Sequence, residues 1–176
     1  MKSLDESYYN SFFSHIYVEE EVAEHPRVKN ILMRFEHAEV VYIRHYKDVF
    51  CRRRQDYDKQ HHAQNLILAK KTGNLIYQGA PVCQNFGNTY FYYTSCMMNC
   101  IYDCEYCYLK GMYPSANIVI FVNIEDIFEE LHQMLSEHPV YLCVSYDTDL
   151  LASESVTGYV RAWEHFVLKE NKISPY

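Results

Sequence analysis

Glycine and proline are scarce in this chain of 176 residues, with 5 of each. Such a composition argues against long disordered linkers. No run of about 18 apolar residues occurs, which excludes a helix that crosses a membrane. The first residues, MKSLDESYYNSFF, carry early acids and lack the apolar centre of a signal peptide. The sequence therefore predicts a cytoplasmic protein with no membrane partner.

An excess of positive charge is also missing. The net charge of -7 argues against a chain that coats nucleic acid without specificity. Basic residues are nevertheless concentrated in CRRRQDYDKQHHAQNLILAKK, residues 51–71. A solvated face is the simpler interpretation of this basic stretch, and a contact with phosphate is the alternative.

Segments with the apolar periodicity of a helix alternate with short apolar or β-branched runs that are typical of strands. This alternation predicts an α/β fold with a parallel sheet or barrel. A helix is expected to begin at Pro26, another after Asn123, and a last one near Thr157 with Val160, Trp163 and Val167 facing inward. Strands are predicted at residues 15–20, 38–46, 89–95, 116–123 and 140–146, and a hairpin is predicted around residues 72–73.

Cysteine is infrequent, with 7 in the chain, yet four of the seven fall within SCMMNCIYDCEYCYLKG, residues 95–111. In a reducing compartment such a cluster indicates metal or redox chemistry rather than disulfides. Cys96, Cys100, Cys104 and Cys107 together could hold a structural zinc ion or a closed iron–sulfur cluster. Alternatively, the last three could hold a [4Fe–4S] cluster whose fourth iron stays open to a ligand. Cys51 and Cys83 have no partner at metal-binding spacing, which predicts free or buried thiols.

The segment CIYDCEYC resembles the signature of the radical S-adenosylmethionine (radical SAM) enzymes, with Tyr106 as the aromatic residue before the last cysteine. It directly follows the predicted strand TYFYYTS, as the signature follows the first barrel strand in that superfamily. The stretches HIYVEEEVAEHPRVKNIL, EYCYLKG, NIVIFVNIEDIFEEL and DTDLLASESVTGY, in this order, resemble the spore photoproduct lyase family. This resemblance extends over nearly the whole chain.

The resemblance implies a fold, a cofactor pair and a reaction. Residues 89–176 would form the start of a radical SAM partial (β/α) barrel, with the cluster loop at 96–111, and residues 1–88 a small α+β region before it. Only about two βα units of roughly 30 residues follow the cysteines, so the chain is expected to be a fragment of a longer protein. Cys100, Cys104 and Cys107 would bind the [4Fe–4S] cluster, and its open iron would bind S-adenosyl-L-methionine. The implied partners are an electron donor such as a flavodoxin or ferredoxin and DNA that carries a thymine-dimer lesion.

The resemblance also implies roles for residues near the last cysteine. Tyr106 and Tyr108 flank it and would assist radical transfer, and Tyr106 would also lie near the adenine of S-adenosylmethionine. The hydrogen-donating cysteine of the family is expected near Tyr146, where this chain has tyrosine, and Cys143 lies three residues earlier. Cys143 could be the donor, Tyr146 could replace it, or the chain could act on another substrate. A small buried core residue is the simpler interpretation of Cys143.

Overall fold

Strands and helices alternate along the computed structural model, which describes residues 13–102 and 104–170. The elements are β1 His15–Glu19, α1 Pro26–Arg34, β2 Glu39–Ile43, α2 Lys47–Phe50, α3 Tyr57–His62, β3 Leu66–Ala69, β4 Ile76–Gln78, β5 Phe91–Thr94, β6 Met97–Met98, β7 Ile118–Phe121, α4 Ile124–Glu137, β8 Tyr141–Cys143, α5 Glu154–Thr157 and α6 Tyr159–Lys169. Short 3-10 turns lie at Glu20–Val22 and Leu151–Ser153. Within the described ranges, no helix has the length and apolar character needed to cross a membrane.

The larger sheet has five strands in the order β2-β1-β3-β7-β6. Its first four strands are parallel, and β6 pairs antiparallel with β7. Every residue of β3 and of β7 is buried. Such continuous apolar strands are typical of a parallel sheet that is covered on both faces. The predicted α/β class with a parallel sheet is therefore confirmed.

The smaller sheet has the order β4-β5-β8, with β4 antiparallel to β5 and β8 parallel to it. The predicted hairpin around Thr72–Gly73 is therefore wrong, because β3 and β4 belong to different sheets. The apolar side chains of β3 are accommodated at the centre of the larger sheet, between β1 and β7. The chain then crosses to the smaller sheet, where β4 finds its antiparallel partner in β5.

Asn123 precedes α4, as the sequence predicts, but its side chain does not cap that helix. Its amide oxygen accepts from the Lys71 backbone N–H at 2.8 Å, and its amide nitrogen donates to the Lys71 carbonyl at 2.9 Å. These two bonds fix the end of β3 beside the end of β7. Asn123 therefore stabilises the carboxyl edge of the larger sheet rather than the helix terminus.

The last helix places Trp163 in the core but leaves Val167 43% exposed, so the inward position predicted for Val167 is wrong. The Phe128 ring of α4 contacts the Trp163 ring edge-on at 4.8 Å and stacks on Phe166 at 4.8 Å. The buried stripe of α6 therefore continues from Trp163 to Phe166. Val160 packs against the same core as a partly buried residue.

The division at residue 88 stays a prediction. Both sheets join strands from before and after that position: β3 pairs with β7 in the larger sheet, and β4 pairs with β5 in the smaller one. The carboxyl ends of β5 and β7 lie side by side, because the Phe121 backbone N–H donates to the Cys96 carbonyl at 3.0 Å. The site described below extends from this edge to the amino end of β7, where Met98 pairs with Val119.

Candidate functional site

The predicted cluster cysteines lie on one long loop, residues 99–117, which connects β6 to β7 and is called the cysteine loop below. It begins just after the short antiparallel pairing of Met97 with Ile120 and of Met98 with Val119. Asn99, its first residue, has a positive φ of 63°. Asparagine tolerates this left-handed backbone better than most residues, so it suits the point where the chain turns away from the sheet.

Buried amide side chains tie the two ends of the cysteine loop together. Asn99 donates to the carbonyls of Ser115 at 2.7 Å and Asn117 at 2.8 Å. Gln64 donates to the carbonyls of Cys100 at 3.1 Å and Ala116 at 2.9 Å. Asn99 is 2% exposed and Gln64 is 6% exposed, so loss of these bonds would leave buried polar groups unpaired. The loop is therefore closed at its base by protein contacts alone.

The structure separates Cys96 from the other three cysteines of the cluster. Cys96 is completely buried and packs in the main hydrophobic core, with its thiol 4.0 Å from the Val144 carbonyl oxygen. Cys100, Cys104 and Cys107 are free thiols of intermediate exposure on the cysteine loop. This arrangement supports the interpretation in which Cys96 is not a metal ligand.

The donor set fits an iron–sulfur cluster in its chemistry. The Tyr102 backbone N–H donates to the Cys100 sulfur at 3.5 Å, and such bonds stabilise cluster-bound thiolates. Burial raises the pKa of Cys100, while the backbone N–H groups of Tyr102 and Asp149 oppose that rise. The Cys107 N–H donates to the Cys104 carbonyl at 3.1 Å, which places these two cysteines on one tight turn. Across residues 13–102 and 104–170, however, no three His, Cys, Asp or Glu side chains form a group that could already hold a metal ion.

The two tyrosines that flank the last cysteine lie in different surroundings. Tyr106 is 92% exposed. The Tyr108 hydroxyl donates to the Tyr146 carbonyl at 2.5 Å, which joins the cysteine loop to the segment after β8. Burial raises the pKa of Tyr108, and the nearby acidic groups of Asp147, Tyr146, Cys143 and Cys107 raise it further. The structure thus brings Tyr108 to the backbone of Tyr146 and leaves Tyr106 in solvent.

Cys143 and Tyr146, the two positions considered for the hydrogen donor, differ in what they contact. Cys143 is partly exposed and ends β8 opposite Tyr93 of β5. The Tyr146 ring lies 4.5 Å from the Tyr93 ring. Cys83, which the sequence left unassigned, is near enough to contribute to the raised pKa of Tyr146, after burial as the main cause. No metal-binding spacing in the sequence indicates this position of Cys83.

A cavity of about 330 Å³ lies between the carboxyl edges of the two sheets, beside the cysteine loop. We call it the Lys71 cavity, after the buried lysine that lines it. The ring of Tyr146 and the segment around Tyr113 of the cysteine loop also line it. Asp147 and Ser95 contribute a buried carboxylate and hydroxyl, and Ser95 donates to Asp147. The sequence analysis missed this site, because its residues come from seven separate segments and match no motif.

Comparisons with known proteins give a fold likeness. No protein-family profile matches the chain, and no curated protein sequence matches it. The structure superposes on spore photoproduct lyase complexed with dinucleoside spore photoproduct, with a TM-score of 0.69 and 17% identity. The superposition covers 89% of this chain and 46% of the lyase chain.

Two other solved structures of the same enzyme superpose equally well. A mutant form gives a TM-score of 0.70 at 17% identity and covers 88% of this chain and 46% of that one. A double mutant with bound AdoMet and dinucleoside spore photoproduct gives 0.68 at 17% identity, with the same two coverages. The chain thus has the fold of the N-terminal part of these lyases and spans less than half of their length.

Proposed function

We propose that this chain is the cluster-binding part of a radical SAM enzyme that resembles spore photoproduct lyase and acts on a thymine-dimer lesion in DNA. The observation that carries the proposal is the cysteine triple on a loop closed by protein contacts, in a chain with the fold of those lyases. A flavodoxin or ferredoxin is the proposed electron donor. The substrate and the reaction rest on the resemblance rather than on a contact within the chain.

Cys100, Cys104 and Cys107 are the residues that would hold the cluster. When bound, a [4Fe–4S] cluster with one open iron supplies the electron that cleaves S-adenosylmethionine. The half-buried position of Cys100 would limit access of water to the site. The backbone N–H of Tyr102 would stabilise the thiolate form of Cys100.

Tyr108 and either Cys143 or Tyr146 are the proposed path for the hydrogen atom on the protein side. Tyr108 reaches the backbone of Tyr146 directly, and the acidic groups of Cys107 and Cys143 both act on its pKa. The path would therefore run from the last cluster cysteine to the segment after β8. The Tyr106 side chain is exposed, so its proposed role near the adenine requires it to contact bound S-adenosylmethionine directly.

A structural module that binds zinc or a closed cluster with all four cysteines is the alternative. Its fourth ligand would have to be Cys96. That thiol is fully buried among apolar side chains, and burial raises its pKa to about 11. Metal binding requires the thiolate, so this position disfavours Cys96 as a ligand.

The two functions are separated by iron binding in single alanine variants. Each variant is reconstituted anaerobically with iron and sulfide, and its bound iron and visible absorption are measured. We expect Cys100→Ala, Cys104→Ala and Cys107→Ala to lose most of the bound iron and Cys96→Ala to retain it. An equal loss of iron in Cys96→Ala and Cys104→Ala would contradict the open-cluster proposal. Release of 5′-deoxyadenosine from S-adenosylmethionine after reduction with dithionite then tests the radical chemistry.

A further inference from the structure

The Lys71 cavity is lined by a lysine whose side chain is largely buried and whose ammonium is open to the cavity. Lys71 is 9% exposed, although it ends the basic stretch for which a solvated face was the simpler interpretation. Its ammonium lies 5.3 Å from the centre of the Tyr77 ring and 5.2 Å from that of Phe121. In the described part of the chain, it makes no ion pair and no hydrogen bond. An ammonium that is largely shielded from water in this way gains from an acceptor on a ligand that enters the cavity.

The position of Lys71 is fixed by the sheet. Its backbone N–H and carbonyl are both bonded to the side chain of Asn123, at 2.8 and 2.9 Å. Burial lowers the pKa of Lys71, and the negative groups of Cys96, Asp147 and Glu130 oppose that change. The two bonds fix the backbone of Lys71 at the edge of the cavity that its side chain lines.

A carboxylate, which can accept hydrogen bonds, also lines the cavity. Asp147 is 8% exposed, and its carboxylate accepts from Ser95 and faces the Tyr113 hydroxyl. A carboxylate has about four acceptor sites, so it can accept from a further donor. A ligand that satisfies both groups must carry a hydrogen-bond acceptor for Lys71 and a donor for Asp147.

The walls of the cavity are aromatic. Tyr77 and Tyr93 stack with ring centres 5.3 Å apart and an interplanar angle of 18°. The Tyr46 and Phe121 rings, which also line the cavity, meet edge-on with their centres 5.4 Å apart. Stacking on aromatic side chains favours a flat heterocycle such as a nucleic-acid base. The volume of about 330 Å³ is ample for one pyrimidine base with its sugar.

We propose that the Lys71 cavity binds one pyrimidine-2,4-dione base, with Lys71 donating to a ring carbonyl and Asp147 accepting from the ring N3–H. Thymine and uracil present this carbonyl and N–H side by side. The proposal rests on the proposed function for its choice of base. It goes beyond that function by assigning the recognition of the base to the carboxyl edge of the N-terminal sheet, outside the cysteine motif.

Binding of thymidine 5′-monophosphate to the chain tests this assignment, measured by calorimetry without cluster or S-adenosylmethionine. We expect Lys71→Met to weaken binding at least tenfold. Lys29→Met is the matched control, because it removes the same charge from an exposed lysine on α1, outside the basic stretch, and should bind like the unmodified chain. Equal affinities of the two variants, or no binding to the unmodified chain, would overturn the proposal.

A ligand-side experiment keeps the test decisive if Lys71→Met does not fold. The 3-methyl derivative of thymidine 5′-monophosphate keeps the carbonyls and lacks the N3–H, so it cannot donate to Asp147. We expect it to bind the unmodified chain at least tenfold more weakly, and equal affinity would overturn the proposal. Both experiments are independent of iron and of S-adenosylmethionine cleavage. A failure of the base-binding site is thus distinguishable from a failure of the proposed radical chemistry.

Discussion

Replacement of Cys96 should change how the stability of the chain depends on pH. This thiol is completely buried, and burial raises its pKa from 9.0 to about 11. The Trp163 indole beside it and the positive charges of Lys71 and Arg27 offset part of that rise. The folded chain therefore keeps a proton on Cys96 at pH values where the unfolded chain has lost it.

The sign and size of the effect follow from linkage. Because the pKa is raised in the folded state, the stabilising contribution is fully present below pH 9.0 and is lost as the pH rises to about 11. A difference of two pKa units corresponds to about 2.7 kcal/mol of unfolding free energy. Between about pH 8 and about pH 10.5, roughly 2 kcal/mol of this should be lost.

Urea unfolding at these two pH values measures the effect, followed by circular dichroism in the presence of a reductant. Cys96→Ala should be less stable at the lower pH, since it loses buried contacts, but should lose about 2 kcal/mol less than the unmodified chain at the higher pH. Cys51→Ala is the matched control, because Cys51 is exposed. If all three proteins lose equal stability between the two pH values, the buried thiol is not the source and the reasoning fails.

Two further predictions concern the cysteine loop and the basic stretch. Asn99→Ala removes two buried hydrogen bonds from the base of the loop, and we expect it to lower the free energy of unfolding by about 1–3 kcal/mol in urea titrations and to reduce bound iron after reconstitution. An unchanged stability would show that the two bonds contribute nothing. Replacement of Arg52, Arg53 and Arg54 by Gln should reduce the slope of log affinity for DNA against log salt by about 2–3, since each phosphate contact contributes about 0.9. An unchanged slope would indicate that these exposed residues do not contact phosphate and only form a solvated face.

The sequence predicted the class of the fold because its central strands are apolar without interruption. Leu66–Ala69 and Ile118–Phe121 are buried at every residue, and such runs have few alternatives to a covered parallel sheet. The hairpin prediction failed at the same strand. Periodicity and turn residues around Gly73 are local signals, whereas the choice between pairing with β4 and pairing with β1 and β7 depends on residues about 50 positions apart.

The candidate site was predictable only where its chemistry is local in sequence. The spacing of Cys100, Cys104 and Cys107 identifies a thiolate triple without any knowledge of the fold. The residues around Lys71 and Asp147 in the cavity come from other segments of the chain, so no sequence motif indicates them. Because Lys71 belongs to the basic stretch, the sequence favoured a solvated position for it. The structure instead buries Lys71 at the end of β3, where its backbone bonds to Asn123.

The cysteine loop also shows why polar residues are buried in a chain with so few glycines. The cysteine loop returns to the sheet at β7, and Asn99 at φ 63° makes the turn that glycine would otherwise make. Unlike glycine, its side chain also holds the returning strand at Ser115 and Asn117. Because these bonds join side chains of the protein to its own backbone, we expect them to order the base of the loop independently of the proposed cluster and so to lower the entropy cost of binding it. The substitution Asn99→Gly keeps the turn but removes the two hydrogen bonds. We therefore expect it to lower both the affinity for iron and the free energy of unfolding.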